Sequence, residues 1–92
     1  MSFQLIWTPH FTRTAKKFLK MHPTLKERFK QILLILEQDP FQANLRLHPL
    51  QGDLLGLHAI SLNYNYRLTL ILKISQHEIT LLDVGSHDDV YR

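Results

Sequence analysis

The spacing of hydrophobic residues changes along the chain, from a helical period in the first half to strand-like alternation in the second. Residues 3–7 form a short apolar run that predicts a first strand. Two apolar stripes at helical spacing follow, first Phe11, Ala15, Phe18 and Leu19, and then Leu25, Phe29, Ile32, Leu33 and Leu36. These stripes predict two amphipathic helices, each with one face suited to a core.

Start and stop signals bound the predicted helices. Thr8 before Pro9 is a typical helix start, because a hydroxyl can cap the first N–H groups and proline has no N–H to satisfy. The first helix should end near residues 21–23, where a proline disfavours helical geometry in the residue before it. The second helix should begin at Thr24, which has the spacing of a capping box with Glu27.

The second half of the chain predicts an antiparallel sheet. Residues 41–56 are punctuated by proline and glycine and are expected to be irregular. Three strand-length runs follow, over residues 57–63, 66–74 and 78–84. The last run should lie in the middle of the sheet, with Gly85 turning the chain after it. Together these elements predict an α+β fold in one domain over residues 1–92, with both N-terminal helices packed on one face of a curved antiparallel sheet.

Charge is distributed unevenly between the two halves. Residues 1–50 carry eight Lys and Arg against three acidic residues, a net charge of +5, whereas residues 51–92 have a net charge of −2. This asymmetry predicts an anionic partner for the basic half. The same lysines, among them Lys16, Lys17 and Lys20, would also serve simply as the solvated faces of the helices.

Several function classes are excluded by composition. The chain has no cysteine, so disulfides, zinc–thiolate sites and thiol nucleophiles are excluded. No apolar run approaches the ~20 residues of a membrane span. The first residues lack the basic and apolar regions of a signal peptide, and a cytoplasmic location is therefore expected.

Two of the six histidines have the context of a catalytic group. His48 lies in a polar segment beside a proline, and His87 follows a strand end. Imidazole suits proton transfer near neutral pH. Three others are expected to be exposed cap or turn residues, namely His10, His22 and His77. The last, His58, is expected to lie either on the surface or in the site. No histidine has metal-ligand spacing, so no metal or other cofactor is expected.

An arginine and a tyrosine complete the candidate chemistry. Arg67 lies within an otherwise apolar strand, and its fork of donors suits phosphate oxygens. The alternative is a salt bridge to Asp83 or Glu78 on a neighbouring strand. Tyr91 is placed either to stack on a base or to pack against the sheet edge.

An ordered set of segments resembles the RelE/ParE toxin superfamily, and most closely its YafQ-like and RelE/StbE-type mRNA interferases. The segments that carry this likeness are Phe11 to Leu19, Asp39-Pro40-Phe41, His48-Pro49-Leu50-Gln51-Gly52, Gly56, Tyr66-Arg67-Leu68, and Leu81 to Tyr91. The likeness spans nearly the whole chain. It implies two N-terminal helices against a curved antiparallel sheet, ribosome-dependent cleavage of mRNA, and suppression by a cognate antitoxin.

The same resemblance implies site residues. His48 and His87 match active-site histidines of the YafQ-like branch, Arg67 matches the arginine of RelE-like members, and Tyr91 matches a C-terminal aromatic near the substrate. Some relatives carry lysines before the arginine motif, but residues 57–63 contain none. This departure leaves more of the chemistry to the two histidines, with His58 as a substitute contact.

RNA cleavage by this set needs no metal ion if the 2′-hydroxyl is the nucleophile. One histidine would act as the base and the other as the acid, while Arg67 holds the scissile phosphate and Tyr91 stacks on the nucleotide. The basic residues of the helices, Lys16, Lys17 and Lys20 among them, would hold ribosomal RNA. Two alternatives stay open: a ParE-like toxin that inhibits DNA gyrase without catalysis, and an inactive relative that only binds its antitoxin.

Overall fold

A computed structural model describes residues 2–86 of the chain. Its helices and strands are β1 (Gln4–Trp7), α1 (Pro9–Met21), α2 (Lys26–Gln38), β2 (His48–Pro49), β3 (His58–Ser61), β4 (Tyr66–Lys73) and β5 (Glu78–Ser86). Short 3₁₀ turns cover Pro23–Leu25, Ala43–Leu45 and Gly52–Leu54. The predicted α+β order is confirmed.

The start of α1 is the one that the sequence predicts. Pro9 occupies the first turn, and the Thr8 hydroxyl accepts a hydrogen bond from the Phe11 N–H at 3.1 Å. The same hydroxyl donates to the Leu81 carbonyl at 2.8 Å. Thr8 therefore caps the helix and also ties it to the middle of β5.

The start predicted for α2 is wrong. A 3₁₀ turn that begins at Pro23 precedes the helix, and Leu25 occupies the capping position without a side-chain hydrogen bond. Thr24 lies inside that turn, so its backbone does not have the extended geometry that a capping hydroxyl needs. The predicted capping box with Glu27 does not form.

The five strands form one sheet in the order β1-β5-β4-β3-β2. The pairs from β2 to β5 are antiparallel, whereas β1 runs parallel to β5 and pairs Gln4 with Glu78 through Trp7 with Leu81. Short hairpins force antiparallel pairing, but no hairpin joins β1 to β5 and fixes their relative direction. The sheet is therefore mostly antiparallel, with β5 in its interior as predicted.

Both helices pack on one face of the sheet. Buried helix residues, Phe11, Ala15, Phe18, Phe29, Ile32 and Leu36, meet buried strand residues, Ile60, Leu62, Leu68, Leu70, Ile79, Leu81 and Val84. We call this side of the sheet the inner face and the opposite side the outer face. Within the described range, neither helix has the length and apolar character needed to cross a membrane.

The turn predicted at Gly85 is wrong, because β5 continues through it. Gly85 lies opposite Arg67, and Ser86 lies opposite Tyr66. The register shifts once, since Thr69 faces Asp83 but Leu70 faces Leu81. This β-bulge inserts an extra residue and keeps the strand paired to its end. Pairing with β4 satisfies the backbone groups of this segment and so outweighs the turn preference of glycine.

Candidate active site and a neighbouring arginine cleft

The strand register places His48 and Arg67 on the outer face. Opposite residues of paired strands project to the same side, and His48 lies opposite Ala59, which lies opposite Thr69. Arg67 is two residues from Thr69 along β4 and projects to the same side. Two strand spacings and two residues separate the Cα atoms of His48 and Arg67 by roughly 12 Å. The two side chains can therefore approach one phosphodiester from either side.

The ring of His48 is oriented by a backbone carbonyl. Its Nδ1 lies 2.8 Å from the Arg46 oxygen, and the side chain is exposed. A carbonyl oxygen only accepts hydrogen bonds, so Nδ1 carries the proton and Nε2 is the basic nitrogen of the neutral ring. His48 also lies in the two-residue strand β2, not in an irregular segment as predicted. Pro49 is compatible with this strand because β2 is at the edge of the sheet.

Arg67 does not form a salt bridge to Asp83 or Glu78, which was the alternative to a role in phosphate binding. In residues 2–86 the ion pairs are His10 with Asp83 and Lys30 with Glu27. The Arg67 Nη1 atom instead lies 3.3–3.4 Å from the carbonyl oxygens of Asn63, Tyr64 and Tyr66. These long contacts hold the guanidinium against the turn and leave its charge without a carboxylate partner in the described range.

The remaining predicted residues are not all brought to this face. His87 and Tyr91 lie outside the described residues, so their roles stay predictions. His58 is half-buried and lies opposite Leu70, on the inner face. Its Nδ1 is buried and has no hydrogen-bond partner within the described part of the chain. The structure therefore does not bring His58 together with His48.

The lysines predicted to bind substrate are exposed along α1. Lys16, Lys17 and Lys20 lie on the helix that covers the inner face, so the sheet separates them from His48. These lysines can bind a partner's surface away from His48, but they cannot contact the reacting atoms of a substrate there. No group of three or more histidine or acidic residues in the described ranges has the arrangement of a metal site.

A cationic cleft beside Arg67 was not found from the sequence. It has a volume of about 490 Å³ and is lined by three arginines, Arg28, Arg46 and Arg67, and by Asn44, Ser61, Asn63 and Tyr64. We call it the arginine cleft. Arg28 and Arg46 are distant in sequence from the strand motif, and they were counted only as part of the basic half. A left-handed backbone at Arg46, with φ of 54°, brings its side chain here, and sequence gives little signal of such a conformation.

An apolar groove lies on the other side of the same strand end, between α1 and the last residues of β5. Its volume is about 410 Å³, and Phe18, Met21, His22, Tyr66 and Val84 supply much of its wall. His22 is half-buried here, with its ring 4.7 Å from the Phe18 ring and 4.8 Å from the Tyr66 ring. His22 caps the end of α1, as predicted, but it is half-buried and not solvated.

Solved structures of bacterial toxins share this architecture. A mutant of YafQ from E. coli matches with a TM-score of 0.81 at 17% identity, covering 98% of this chain and 99% of that chain. YafQ in the E. coli DinJ–YafQ toxin–antitoxin complex matches with a TM-score of 0.78 at 18% identity, over all of both chains. A YoeB/ParE toxin from Agrobacterium tumefaciens matches with a TM-score of 0.75 at 16% identity, covering 92% of this chain and 99% of that one.

The sequence comparisons give the family. No curated protein sequence matches the chain significantly. A family model described as the bacterial toxin of type II toxin-antitoxin system, YafQ, matches residues 3–92. This match includes the strands that position His48 and Arg67. The chain therefore belongs to the YafQ family of bacterial toxins of type II toxin–antitoxin systems.

Proposed function

We propose that this type II toxin is an endoribonuclease that cleaves mRNA on the translating ribosome, in the cytoplasm, without a metal ion. The observation that carries the proposal is that His48 and Arg67 lie on the same outer face of the sheet. His48 offers a nitrogen base with a fixed tautomer, and Arg67 offers a cation without a carboxylate partner in residues 2–86. These are two of the groups that cleavage from a 2′-hydroxyl requires.

In this mechanism the Nε2 atom of His48 removes the proton of the ribose 2′-hydroxyl. The 2′-oxygen attacks the adjacent phosphorus, the bond to the 5′-oxygen breaks, and a 2′,3′-cyclic phosphate forms. Arg67 donates to the phosphorane oxygens, whose negative charge rises in the transition state. His87 is assigned the acid that protonates the leaving 5′-oxygen, and Tyr91 is assigned to stack on the neighbouring base.

Two macromolecular partners belong to this proposal. The solved structures of similar fold include two toxin–antitoxin complexes, DinJ–YafQ from E. coli and RelBE2 from Mycobacterium tuberculosis. For this chain we propose a cognate antitoxin that masks the outer face and keeps the toxin inactive. The exposed lysines of α1, Lys16, Lys17 and Lys20, are assigned to phosphates of ribosomal RNA.

The test is primer extension on a reporter mRNA, before and after induction of the toxin in bacteria. Wild type should produce new 5′ ends within the coding region and arrest growth. His48→Ala should remove both effects, while His10→Ala, which deletes another exposed histidine, should preserve them. Circular dichroism of the purified variants checks that each is folded.

The same experiment separates the alternatives. Growth arrest without mRNA cleavage, together with inhibition of gyrase supercoiling, would contradict the nuclease and identify a ParE-like toxin. Absence of arrest with retained antitoxin binding would identify an inactive relative. Equal cleavage of naked mRNA and of mRNA on 70S ribosomes, at matched salt, would contradict only the ribosome dependence.

A further inference from the structure

The arginine cleft concentrates positive charge without neutralising it. Three guanidinium groups line one space of about 490 Å³, and no aspartate or glutamate of residues 2–86 lines it. Over residues 2–86 none of the three arginines belongs to an ion pair. Like charges in one cleft repel each other, so this arrangement favours the binding of an anion.

Two of the arginines are already oriented. The Nε atom of Arg28 donates to the Leu62 carbonyl at 3.1 Å, and Arg67 contacts the carbonyls of the turn that follows. A guanidinium has five N–H donors, so both side chains keep donors for a ligand. Anchoring also lowers the entropy that each side chain loses when an anion binds.

The turn between β3 and β4 presents an aromatic ring beside these cations. The Asn63 side-chain oxygen accepts hydrogen bonds from the N–H groups of Asn65 and Tyr66 at 2.9 and 3.0 Å, and so fixes the turn. Tyr64 lies at its tip and is 93% exposed. An unpacked aromatic ring beside arginines is the combination that holds a single-stranded nucleic acid, with bases on the ring and phosphates on the cations.

Arg46 joins this cleft to the candidate active site. Its side chain lines the cleft, while its carbonyl oxygen holds the ring of His48. Arg67 borders both regions. An RNA strand whose scissile phosphate lies between His48 and Arg67 can therefore continue directly into the cleft.

We propose that the arginine cleft is a nucleotide subsite, in which Arg28 and Arg46 hold the phosphate next to the scissile one and Tyr64 stacks on the attached base. This subsite rests on the proposed function for its place in the reaction, but its affinity for RNA does not require cleavage. The volume of the cleft lies in the range of small-ligand sites, and it accommodates one nucleotide better than a folded partner.

The test measures binding of a single-stranded 2′-O-methyl hexaribonucleotide, in which the nucleophile is blocked, by fluorescence anisotropy at several salt concentrations. Arg28→Gln and Arg46→Gly should each weaken binding about tenfold. Each should also lower the slope of log affinity against log salt by about 0.7, the value for one phosphate contact on a single strand. Tyr64→Ala should weaken binding about tenfold, with the salt slope unchanged.

Arg46→Gly distinguishes binding from a structural role. Glycine tolerates the left-handed backbone at this position and keeps the carbonyl that holds His48, so the melting temperature should stay the same or rise. Lys73→Gln is the matched control, because Lys73 is an exposed cation at the far end of β4. Its binding should equal that of wild type.

The outcomes separate the subsite from the nuclease. Wild-type affinity in folded Arg46→Gly and Tyr64→Ala would overturn the subsite, even if wild type cleaves mRNA on ribosomes. Loss of affinity in these variants would support the subsite, even if primer extension showed no cleavage. Unchanged affinity for the hexaribonucleotide with weakened affinity for the antitoxin would overturn it in favour of an acidic peptide site.

Discussion

Tyr66 and Arg67 are consecutive residues of β4, yet they face two very different surfaces. Tyr66 projects to the inner face and lines the apolar groove, where its ring lies 5.0 Å from that of Phe18. Arg67 projects to the outer face and lines the arginine cleft. Because side chains alternate between the two faces of a strand, β4 contributes to two grooves of similar size, about 410 and 490 Å³. One groove is apolar and the other is cationic.

The two grooves differ in the contacts that their lining side chains make. In the apolar groove, aromatic rings contact one another and His10 approaches Asp83 at 3.5 Å, so the contacts are made within the chain. In the arginine cleft Arg28 and Arg67 donate to backbone carbonyls, and none of the three guanidinium groups forms an ion pair over residues 2–86. The first surface therefore contributes to folding, whereas the second is organised for a partner.

The largest effect expected on stability is at Phe18. This side chain is 7% exposed, and Phe18→Ala should lower the free energy of unfolding by about 3–5 kcal/mol, because it leaves a cavity beside Tyr66 and His22. Chemical denaturation measures the change, with Phe18→Leu as the milder control. Affinity of the remaining folded protein for the 2′-O-methyl RNA should be unchanged. A stable Phe18→Ala variant with weak RNA binding would reverse the roles assigned to the two grooves.

Arg67→Ala should have the opposite pattern, with a large loss of cleavage and a small loss of stability. Cleavage per folded molecule should fall about 10²–10³-fold, because a charge that stabilises the transition state is lost. Stability should fall by no more than about 1 kcal/mol, since the contacts to the turn carbonyls are long, at 3.3–3.4 Å. Primer extension on ribosomes and thermal unfolding of one preparation measure both quantities. A large loss of stability with normal cleavage would show that Arg67 is structural.

A smaller effect is expected at Thr8, which ties the wall of the apolar groove to the sheet. Thr8→Ala removes the cap of α1 and the hydrogen bond to Leu81, and should cost about 1–2 kcal/mol of stability. Thr8→Ser keeps the hydroxyl and should lie close to wild type in the same denaturation experiment. Equal loss in both variants would exclude the hydroxyl as the cause.

The smallest effect concerns the lysines of α1, which lie outside both the arginine cleft and the active site. Reversal of Lys16, Lys17 and Lys20 to glutamate should slow association with 70S ribosomes about fivefold at low salt, because exposed charges act mainly on encounter. The difference should shrink as salt screens the charges. Stopped-flow measurements over a salt series test this, and a salt-independent difference would rule out long-range attraction.

Local sequence signals predicted most of the fold. The Thr8-Pro9 start, the apolar stripes and the three strand-length runs each depend on neighbours in sequence, and the structure has elements at all of them. The α2 start is a local error, whereas two other errors occur where tertiary pairing decides. Gly85 stays in β5 because β4 pairs with it, and β1 runs parallel to β5. Pairing between distant strands leaves no local trace at either position.

The candidate site was less accessible to sequence reasoning. His48 and Arg67 were identified as separate candidates, and only the register of β2, β3 and β4 shows that they share a face. The contribution of Arg46 depends on a left-handed backbone and a carbonyl contact, neither of which its residue type reveals. Arg28 comes from a helix on the other side of the sheet, and only the folded chain brings it to the cleft.

The short strand β2 also affects how the molecule resists aggregation. It ends one side of the sheet with two residues, and the second, Pro49, has no N–H group to pair with another chain. A neighbouring copy therefore finds little edge on which to extend the sheet at the side of His48. The same brevity that makes this strand hard to find in the sequence protects the outer face beside His48 from self-association.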